Sequence, residues 1–351
     1  MMEKYPGIEN TMLFQTLQRC MYRRISEKIE NEFTYPDGTK GWFELRIEPV
    51  PEGLFILSID ISDRKKAEEE LLKLNESLEE LVALRTSELN AKNKDLTDSI
   101  RYAERIQYSR LPTKEEFYAA FPHSFILFKP KAIVSGDFYF FHKKKQSVII
   151  AAADCTGHGV PGALMGMLCS EKLNEAVLQH NGASEILKEL NISIRASLKQ
   201  SIRDNSTRDG IDIALRDGMD IALCLIDTDN CVVKYAGANR PLWVIRNGQT
   251  FEEIKATKKA IGGFTEDTQH FDSHEITLQQ GDTFYIFSDG FADTFGGQDG
   301  KKIMTKKFKE ILLDIQDKSM QEQERYLDDF VENWKAGTEQ VDDILVIGVR
   351  L

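Results

Sequence analysis

Single aspartates stand beside glycine at the ends of predicted strands, and these are the residues best suited to chemistry. They occur in Ser135-Gly136-Asp137, in Asp154-Cys155-Thr156-Gly157-His158-Gly159, in Ser288-Asp289-Gly290 and in Val341-Asp342-Asp343-Ile344. Each motif adjoins an apolar strand, where an unpaired carboxylate is costly to bury. Because few Lys or Arg residues lie within the motifs, we expect a divalent cation to supply the compensating charge.

The types of ligand indicate which cation this would be. Several carboxylates without a His or Cys cluster favour Mg²⁺ or Mn²⁺ over zinc. Two such ions, about 3.5–4 Å apart, can hold a phosphoryl group and lower the pKa of a bound water so that it attacks near neutral pH. The motifs therefore predict hydrolysis of a phosphate ester.

In their order along the chain, the four motifs resemble those of the PPM-type phosphatases, in the SpoIIE-like branch. The resemblance covers about residues 111–351, and its densest part is the run DCTGHGVPG at 154–162. It implies an α+β fold, an α-β-β-α sandwich of two antiparallel sheets flanked by helices. It also implies a protein serine/threonine phosphatase that uses two Mn²⁺ or Mg²⁺ ions on a phosphorylated STAS-type anti-sigma-factor antagonist.

The same resemblance assigns roles to individual residues. Asp154 would bridge both metal ions, and the backbone carbonyl of Cys155 would complete one coordination shell. Asp289 and Asp342 would hold the other ion. Asp137 would lie beside the second metal, directly or through water.

Three further residues near these motifs have less certain roles. His158 would either donate a proton to the leaving group or order its turn, whose N–H groups open a helix towards an anion. Asp343 would orient Asp342. Asp220 is predicted to be a turn residue, with contact to the metal cluster as the alternative.

The chain departs from the usual pattern of the branch at two points. Gly237-Ala238-Asn239 stands where Gly-His-Asn is common, so the contact at Ala238 is open. No arginine marks the phosphate pocket, which leaves Lys129 and Lys131 as candidates.

Alternating strands and helices must position these motifs within a catalytic domain predicted at 113–351. The apolar patterns predict strands at 147–153, 220–227, 231–235, 283–288 and 344–350, and helices at 161–179, 184–202, 306–315 and 321–334. Strands grouped in hairpins, with helices between the groups, are typical of a layered α+β fold.

A helical linker is predicted at 64–112. Neither Gly nor Pro occurs between Arg64 and Ser109, and Leu71, Leu74, Leu78 and Leu81 follow a/d heptad spacing. This spacing predicts a coiled coil and a parallel homodimer. The alternative is one long helix packed on its own domain.

The first 63 residues are predicted to form a helix at 11–30 and strands at 32–35, 42–47 and 54–59. The turn Pro36-Asp37-Gly38 between the first two strands is a hairpin signal. The segment resembles the last helix and last three strands of a PAS domain, which makes it a partial sensor region. A small β-meander without a sensory role is the alternative.

Composition limits the remaining possibilities. No apolar run approaches the ~20 residues that a membrane span requires, and we expect a cytoplasmic protein. The net charge of −12 argues against nucleic acid as a partner. The rival to a phosphatase is a non-catalytic, dimeric coiled-coil scaffold whose phosphatase-like domain binds a partner without turnover.

Overall fold

The computed structural model describes residues 8–144, 147–200, 217–297 and 300–351. Its contacts divide the chain into two compact units, Met1–Lys94 and Asp95–Leu351. The division falls within one continuous helix, so the two units are described in turn.

The first unit contains a helix and a three-stranded antiparallel meander within its described residues. The elements are α1 (Met12–Arg23), β1 (Glu27–Thr34), β2 (Lys40–Val50) and β3 (Gly53–Asp60). Leu17 and Cys20 of α1 pack against Ile47 of β2. This small core holds α1 on the sheet.

The prediction of a helix at 11–30 was wrong in its second half. Thr11 caps the start of α1, accepting a hydrogen bond from the Phe14 N–H, and Arg24 ends the helix with a φ of 56°. Residues 27–34 then find partners one by one along β2. Sheet pairing therefore prevails over the helical pattern of this segment.

A single helix, α2 (Ser62–Arg110), follows the meander. The four leucines of the heptad pattern, Leu71, Leu74, Leu78 and Leu81, are 50–71% exposed. The predicted helix is present, and its apolar seam is uncovered in the single chain.

The second unit is built from two antiparallel sheets. Among the described residues, one has the strand order β10-β9-β13-β16-β4 and the other β12-β8-β7-β6-β5, with the short β11 paired to β7. The strands are β4 (Ser124–Lys129), β5 (Phe138–Lys143), β6 (Val148–Cys155), β7 (Gly218–Asp227), β8 (Val232–Ala238), β9 (Leu242–Arg246), β10 (Thr250–Ile254), β11 (Ile261–Gly262), β12 (Ser273–Thr277), β13 (Thr283–Phe287) and β16 (Ile344–Arg350). A separate two-stranded ribbon joins β14 (Phe295–Gly296) to β15 (Lys301–Lys302).

Helices cover the outer faces of both sheets. The described helices of this unit after α2 are α3 (Lys114–Ala120), α4 (Gly159–Gln179), α5 (Ala183–Ser197), α6 (Gly290–Asp293), α7 (Met304–Asp314) and α8 (Met320–Lys335). Of these, α3 contributes Phe117 to the core between the sheets. One apolar cluster joins α4 and α5 to the β5–β8 sheet, a second lies between the two sheets, and a third joins α7 and α8 to the β9–β13–β16 sheet. Three stacked cores thus give four layers.

The expected α+β fold, an α-β-β-α sandwich, is confirmed. The predicted helix at 184–202 is observed as Ala183–Ser197, while residues 201 and 202 lie outside the described residues. Across the described ranges, no helix combines the length and apolar character needed to span a bilayer.

Candidate active site

Asp137 and Asp154 lie at the same end of two neighbouring strands. Asp137 immediately precedes β5, whose first residue, Phe138, pairs with Ala153 of β6. Asp154 follows Ala153 directly, so the antiparallel register places the two aspartates side by side at the same end of the two strands. The structure therefore joins two of the predicted motifs.

Asp220 joins this pair from the next strand. It lies inside β7, and its Cα is the register partner of Asp154 on β6. The prediction that Asp220 is a turn residue was wrong. The strand begins at Gly218, two residues earlier than the first apolar alternation in the sequence indicates.

The second sheet contributes Asp289 and Asp342. Ser288 connects them: its N–H donates to the Leu345 carbonyl at 2.9 Å, and its Oγ accepts from the Leu345 N–H at 3.0 Å. Asp289 follows Ser288, and Asp342 precedes β16 by two residues. The two carboxylates are thus carried by segments that are hydrogen-bonded side by side.

Asp343 connects the two sheets beneath the site. Its buried carboxylate accepts from the Lys131 N–H at 2.7 Å and from the Gly136 N–H at 2.8 Å. These bonds hold the loop that presents Asp137. Its own N–H donates to Asp342 Oδ1 at 2.9 Å. Asp343 thus contacts the loop before Asp137 through its side chain and the Asp342 carboxylate through its backbone.

Glycines allow the Asp137 and Asp154 motifs to approach each other. A Cβ at Gly136 would lie 2.5 Å from the Gly157 carbonyl oxygen, and one at Gly162 would lie 2.3 Å from the same atom. Real Cβ atoms do not reach such distances. The 154–162 turn can therefore pack on the segment before Asp137 because side chains are absent there.

Burial makes Asp137 an unusual carboxylate. Its side chain is 3% exposed, and its Oδ2 has no hydrogen-bond partner among the described residues. Burial, followed by the nearby charge of Asp154, raises the pKa of Asp137 well above the ordinary value. An unpaired buried oxygen of this kind is suited to a cation.

The neighbouring carboxylates are similarly crowded. Burial raises the pKa of Asp154 to about 7, with Arg240 opposing the rise and the charges of Asp289 and Asp220 adding to it. Burial is also the main cause of the raised pKa values of Asp220 and Asp342. Repulsion between the carboxylates contributes in every case, which shows that chain-distant motifs meet in one cluster.

Arg240 lies at the centre of this cluster, and sequence reasoning missed it. Its Nη2 is 2.8 Å from Asp154 Oδ2, 2.7 Å from Asp289 Oδ2 and 3.3 Å from Asp220 Oδ2. Arg240 directly follows Gly237-Ala238-Asn239, the motif that departs from the usual pattern. That position is the signal that could have identified it.

The donor set fits a divalent metal, although Arg240 lies between these carboxylates. Within the described ranges, no three His, Cys, Asp or Glu side chains are arranged to hold an ion in these conformations. One guanidinium nevertheless faces several carboxylates, and the buried Oδ2 of Asp137 is unpaired. Hard oxygen ligands with an excess of negative charge match Mg²⁺ or Mn²⁺.

Cys155 and His158 occupy different surroundings. A hydrogen bond with Cys169 and burial raise the pKa of the Cys155 thiol, so its carbonyl rather than its sulfur suits a hard cation. His158 is exposed at the N-cap of α4. In the described part of the chain, no side-chain hydrogen bond or ion pair connects His158 to the carboxylates.

Neither lysine candidate forms an ion pair with these carboxylates among the described residues. The Lys129 ammonium pairs with Asp328 and Glu332 of α8. Lys131 contributes its backbone N–H to Asp343. Arg240, which was not among the predicted cations, pairs with Asp154 and Asp289 instead.

A cavity of about 380 Å³ opens beside Asp154 and Asp220. Lys258, Lys259 and Phe264 also line it, and Phe264 is 77% exposed. A larger cavity, of about 500 Å³, is lined by Arg110 and other residues away from the carboxylates. Of these two cavities, the smaller one is lined by carboxylates of the site.

A four-layer sandwich with carboxylates converging from both sheets defines the PPM-type phosphatase class. Residues 144–351 match the family model of stage II sporulation protein E (SpoIIE), and the chain belongs to this family. The predicted membership of the SpoIIE-like branch is confirmed.

Two known proteins show the extent of the similarity. The phosphoserine phosphatase RsbU of Bacillus subtilis (strain 168) is 26% identical over 201 residues, which cover 57% of this chain and 55% of RsbU. The chain thus matches about half the length of this curated relative. The solved SiaA-PP2C domain of Pseudomonas aeruginosa is 30% identical with a TM-score of 0.65, covering 74% of this chain and 99% of that domain.

Proposed function

We propose that the protein is a metal-dependent protein serine/threonine phosphatase that acts in the cytoplasm on phosphoserine or phosphothreonine. The observation that carries the proposal is the convergence of Asp137, Asp154, Asp289 and Asp342 from four strand ends of two sheets. Membership of the SpoIIE family and the similarity to a phosphoserine phosphatase support it.

Two Mn²⁺ or Mg²⁺ ions would supply charge neutralisation and an activated water. Asp154 would bind both, with the Cys155 carbonyl completing one shell. Asp289 and Asp342 would hold the other ion, and Asp137 would approach the second metal directly or through water. The protein's own contribution is to hold these groups in position before the substrate arrives.

The cavity beside Asp154 would receive the substrate segment. Lys258 and Lys259 are exposed there, and none of the described carboxylates forms an ion pair with either ammonium group. Both lysines would attract an anionic segment. His158 remains a candidate either for proton donation to the leaving group or for ordering the turn.

The direct test is hydrolysis of a generic phosphate ester by the full chain with Mn²⁺ or Mg²⁺. Asp154→Asn and Asp289→Asn should each lower the rate at least about a thousand-fold, since loss of the activated water raises the barrier by about 4 kcal/mol. Asp314→Asn, at an exposed aspartate of α7, is the matched control and should leave the rate unchanged. A folded protein without turnover on any phosphoprotein would favour the scaffold alternative.

We further propose a phosphorylated STAS-type protein as the substrate. This rests on the family resemblance, and the residues of the cavity are compatible with a phosphorylated protein segment. Phosphorylated STAS domains should be dephosphorylated faster than unrelated phosphopeptides of equal charge, measured by phosphate release with each metal. Equal rates on both substrates would contradict the proposed STAS-type substrate but not the proposed phosphatase activity.

We also propose the domain division 1–63, 64–112 and 113–351, with a PAS-like region and a coiled coil that pairs two chains. The exposed leucines of α2 support the pairing, and Phe55 and Leu57 on β3 add apolar surface in the same unit. Leu74→Asp combined with Leu81→Asp should convert a dimer into a monomer in light scattering. Glu76→Lys, at the heptad position opposite the seam, should leave the mass unchanged.

A further inference from the structure

Arg240 occupies the place between carboxylates that a cation would take. A single nitrogen, Nη2, faces Asp154, Asp289 and Asp220 at 2.8, 2.7 and 3.3 Å. This nitrogen carries two hydrogens, so it can donate fully to two of the three carboxylates. The third carboxylate is held by charge more than by a hydrogen bond.

The guanidinium group is incompletely satisfied. The side chain is 15% exposed, and Nε has no hydrogen-bond partner among the residues that the structure describes. A buried donor without a partner costs free energy that a solvated guanidinium does not lose. The carboxylate charges hold Arg240 in place, and a stronger cation could displace it.

The backbone at this position is held separately from the side chain. The Tyr235 hydroxyl donates to the Arg240 carbonyl at 2.5 Å. Asn239 adopts a φ of 58°, and its Nδ2 donates to Asp220 Oδ1 at 2.7 Å. Displacement of the guanidinium therefore requires rotation of one side chain and leaves the strand ends in place.

We propose that Arg240 is an internal counter-ion that competes with the metal ions for Asp154 and Asp289. The proposal rests on the proposed function, because it takes these two residues as metal ligands. Mg²⁺ binds carboxylate oxygens at about 2.0–2.1 Å, so its charge would repel a guanidinium that is hydrogen-bonded to the same oxygens. Metal binding therefore favours departure of the Arg240 guanidinium from Asp154 and Asp289.

Two consequences follow for the metal-free and metal-bound proteins. Without metal, Arg240 reduces the repulsion among neighbouring carboxylates. On metal binding, part of the interaction energy is used to displace the guanidinium, so the observed affinity is lower than the ligands alone would give.

The experiment is a Mn²⁺ titration of the metal-free full chain by calorimetry. Arg240→Gln should lower the dissociation constant for Mn²⁺ at least about tenfold, the effect of about 1.4 kcal/mol of competition. Arg240→Lys keeps the charge but loses the planar fork, and we expect an intermediate affinity. Arg246→Gln is the matched control, because Arg246 pairs with Asp282 and Glu252 outside the site; its Mn²⁺ affinity should equal that of the wild type.

A thermal scan separates competition from a general structural role. Arg240→Gln should melt below the wild type without metal, and the stabilisation by Mn²⁺ should be larger than in the wild type. If Arg240→Gln does not fold without metal, the Mn²⁺ titration and the thermal scan are both made with Arg240→Lys. Unchanged or weaker Mn²⁺ affinity, or equal loss of melting temperature with and without Mn²⁺, would overturn the proposal. Because neither measurement needs turnover, a wild type that binds Mn²⁺ but cleaves nothing would contradict only the phosphatase assignment.

Discussion

Asp154 and Asp220 lie directly opposite each other on the adjacent antiparallel strands β6 and β7. Like charges in this arrangement destabilise a sheet. Arg240 contacts both carboxylates, and Asn239 donates to Asp220. The protein thus keeps an unfavourable pair at a strand end and surrounds it with groups that reduce the cost, as expected where function requires carboxylates close together.

Asp220→Asn should stabilise the metal-free protein. At pH 8 in the presence of a chelator, we expect the free energy of unfolding to rise by about 0.5–1 kcal/mol, because one member of the like-charged pair is removed. Urea denaturation measures the change. Asp227→Asn, at the other end of β7, replaces one of the two carboxylate oxygens that accept hydrogen bonds from Asn230 and should not stabilise the protein. Destabilisation by Asp220→Asn would show that the pair is not repulsive.

Asp343→Asn should weaken both stability and metal binding. The carboxylate accepts from the Lys131 and Gly136 N–H groups, whereas an amide has one acceptor oxygen and would turn a donor towards one of them. We expect a loss of about 1–3 kcal/mol in unfolding free energy and about 10–100-fold weaker Mn²⁺ binding. Denaturation and calorimetry measure the two effects. Mn²⁺ binding as tight as in the wild type would separate Asp343 from the site.

Gly162→Ala should disturb the turn that carries Asp154. The added Cβ would lie 2.3 Å from the Gly157 carbonyl oxygen, so either the turn or the start of α4 must shift. We expect a loss of about 1–3 kcal/mol in stability and a lower rate of phosphate ester hydrolysis. Val160→Ala, at an exposed position of the same helical turn, should change stability by less than about 0.5 kcal/mol. A Gly162→Ala protein with wild-type stability would contradict the contact.

Asp282 should make stability depend on pH in acid. Burial opposes ionisation there, but hydrogen bonds from Gln279, Arg246 and Asn247 prevail and lower the pKa of Asp282 below its usual 3.8. A lowered pKa in the folded state stabilises the protein above the unfolded value, and this contribution is lost as the pH falls through the folded value. Asp282→Asn should therefore cost about 1–3 kcal/mol at pH 7.

The difference between Asp282→Asn and the wild type should shrink as the pH falls below about 4, where the carboxylate becomes protonated. Chemical denaturation at pH 7, 5 and 3 measures it. A difference that is constant over this range would show that the charge of Asp282 does not contribute.

Much of the layered domain could be predicted from local patterns. The buried strand before Asp154, the helix that begins near Pro161 and the final strand after Asp343 were predicted and are present as β6, α4 and β16. Continuous apolar runs and helical periodicity involve only neighbouring residues, so these strands and helices can be predicted without knowledge of the fold. The end of α1 was misjudged because β2 pairing decides where β1 begins.

The sequence by itself determined which carboxylates stand at strand ends, and thereby the chemistry to expect of Asp137, Asp154, Asp289 and Asp342. Only the tertiary structure decided which groups face them. Arg240 reaches Asp154 and Asp289 from a turn 86 and 49 residues away, across both sheets. A local sequence pattern indicates only the conformation of its own segment. The partner of a buried charge depends instead on how distant strands pack and in which register they pair.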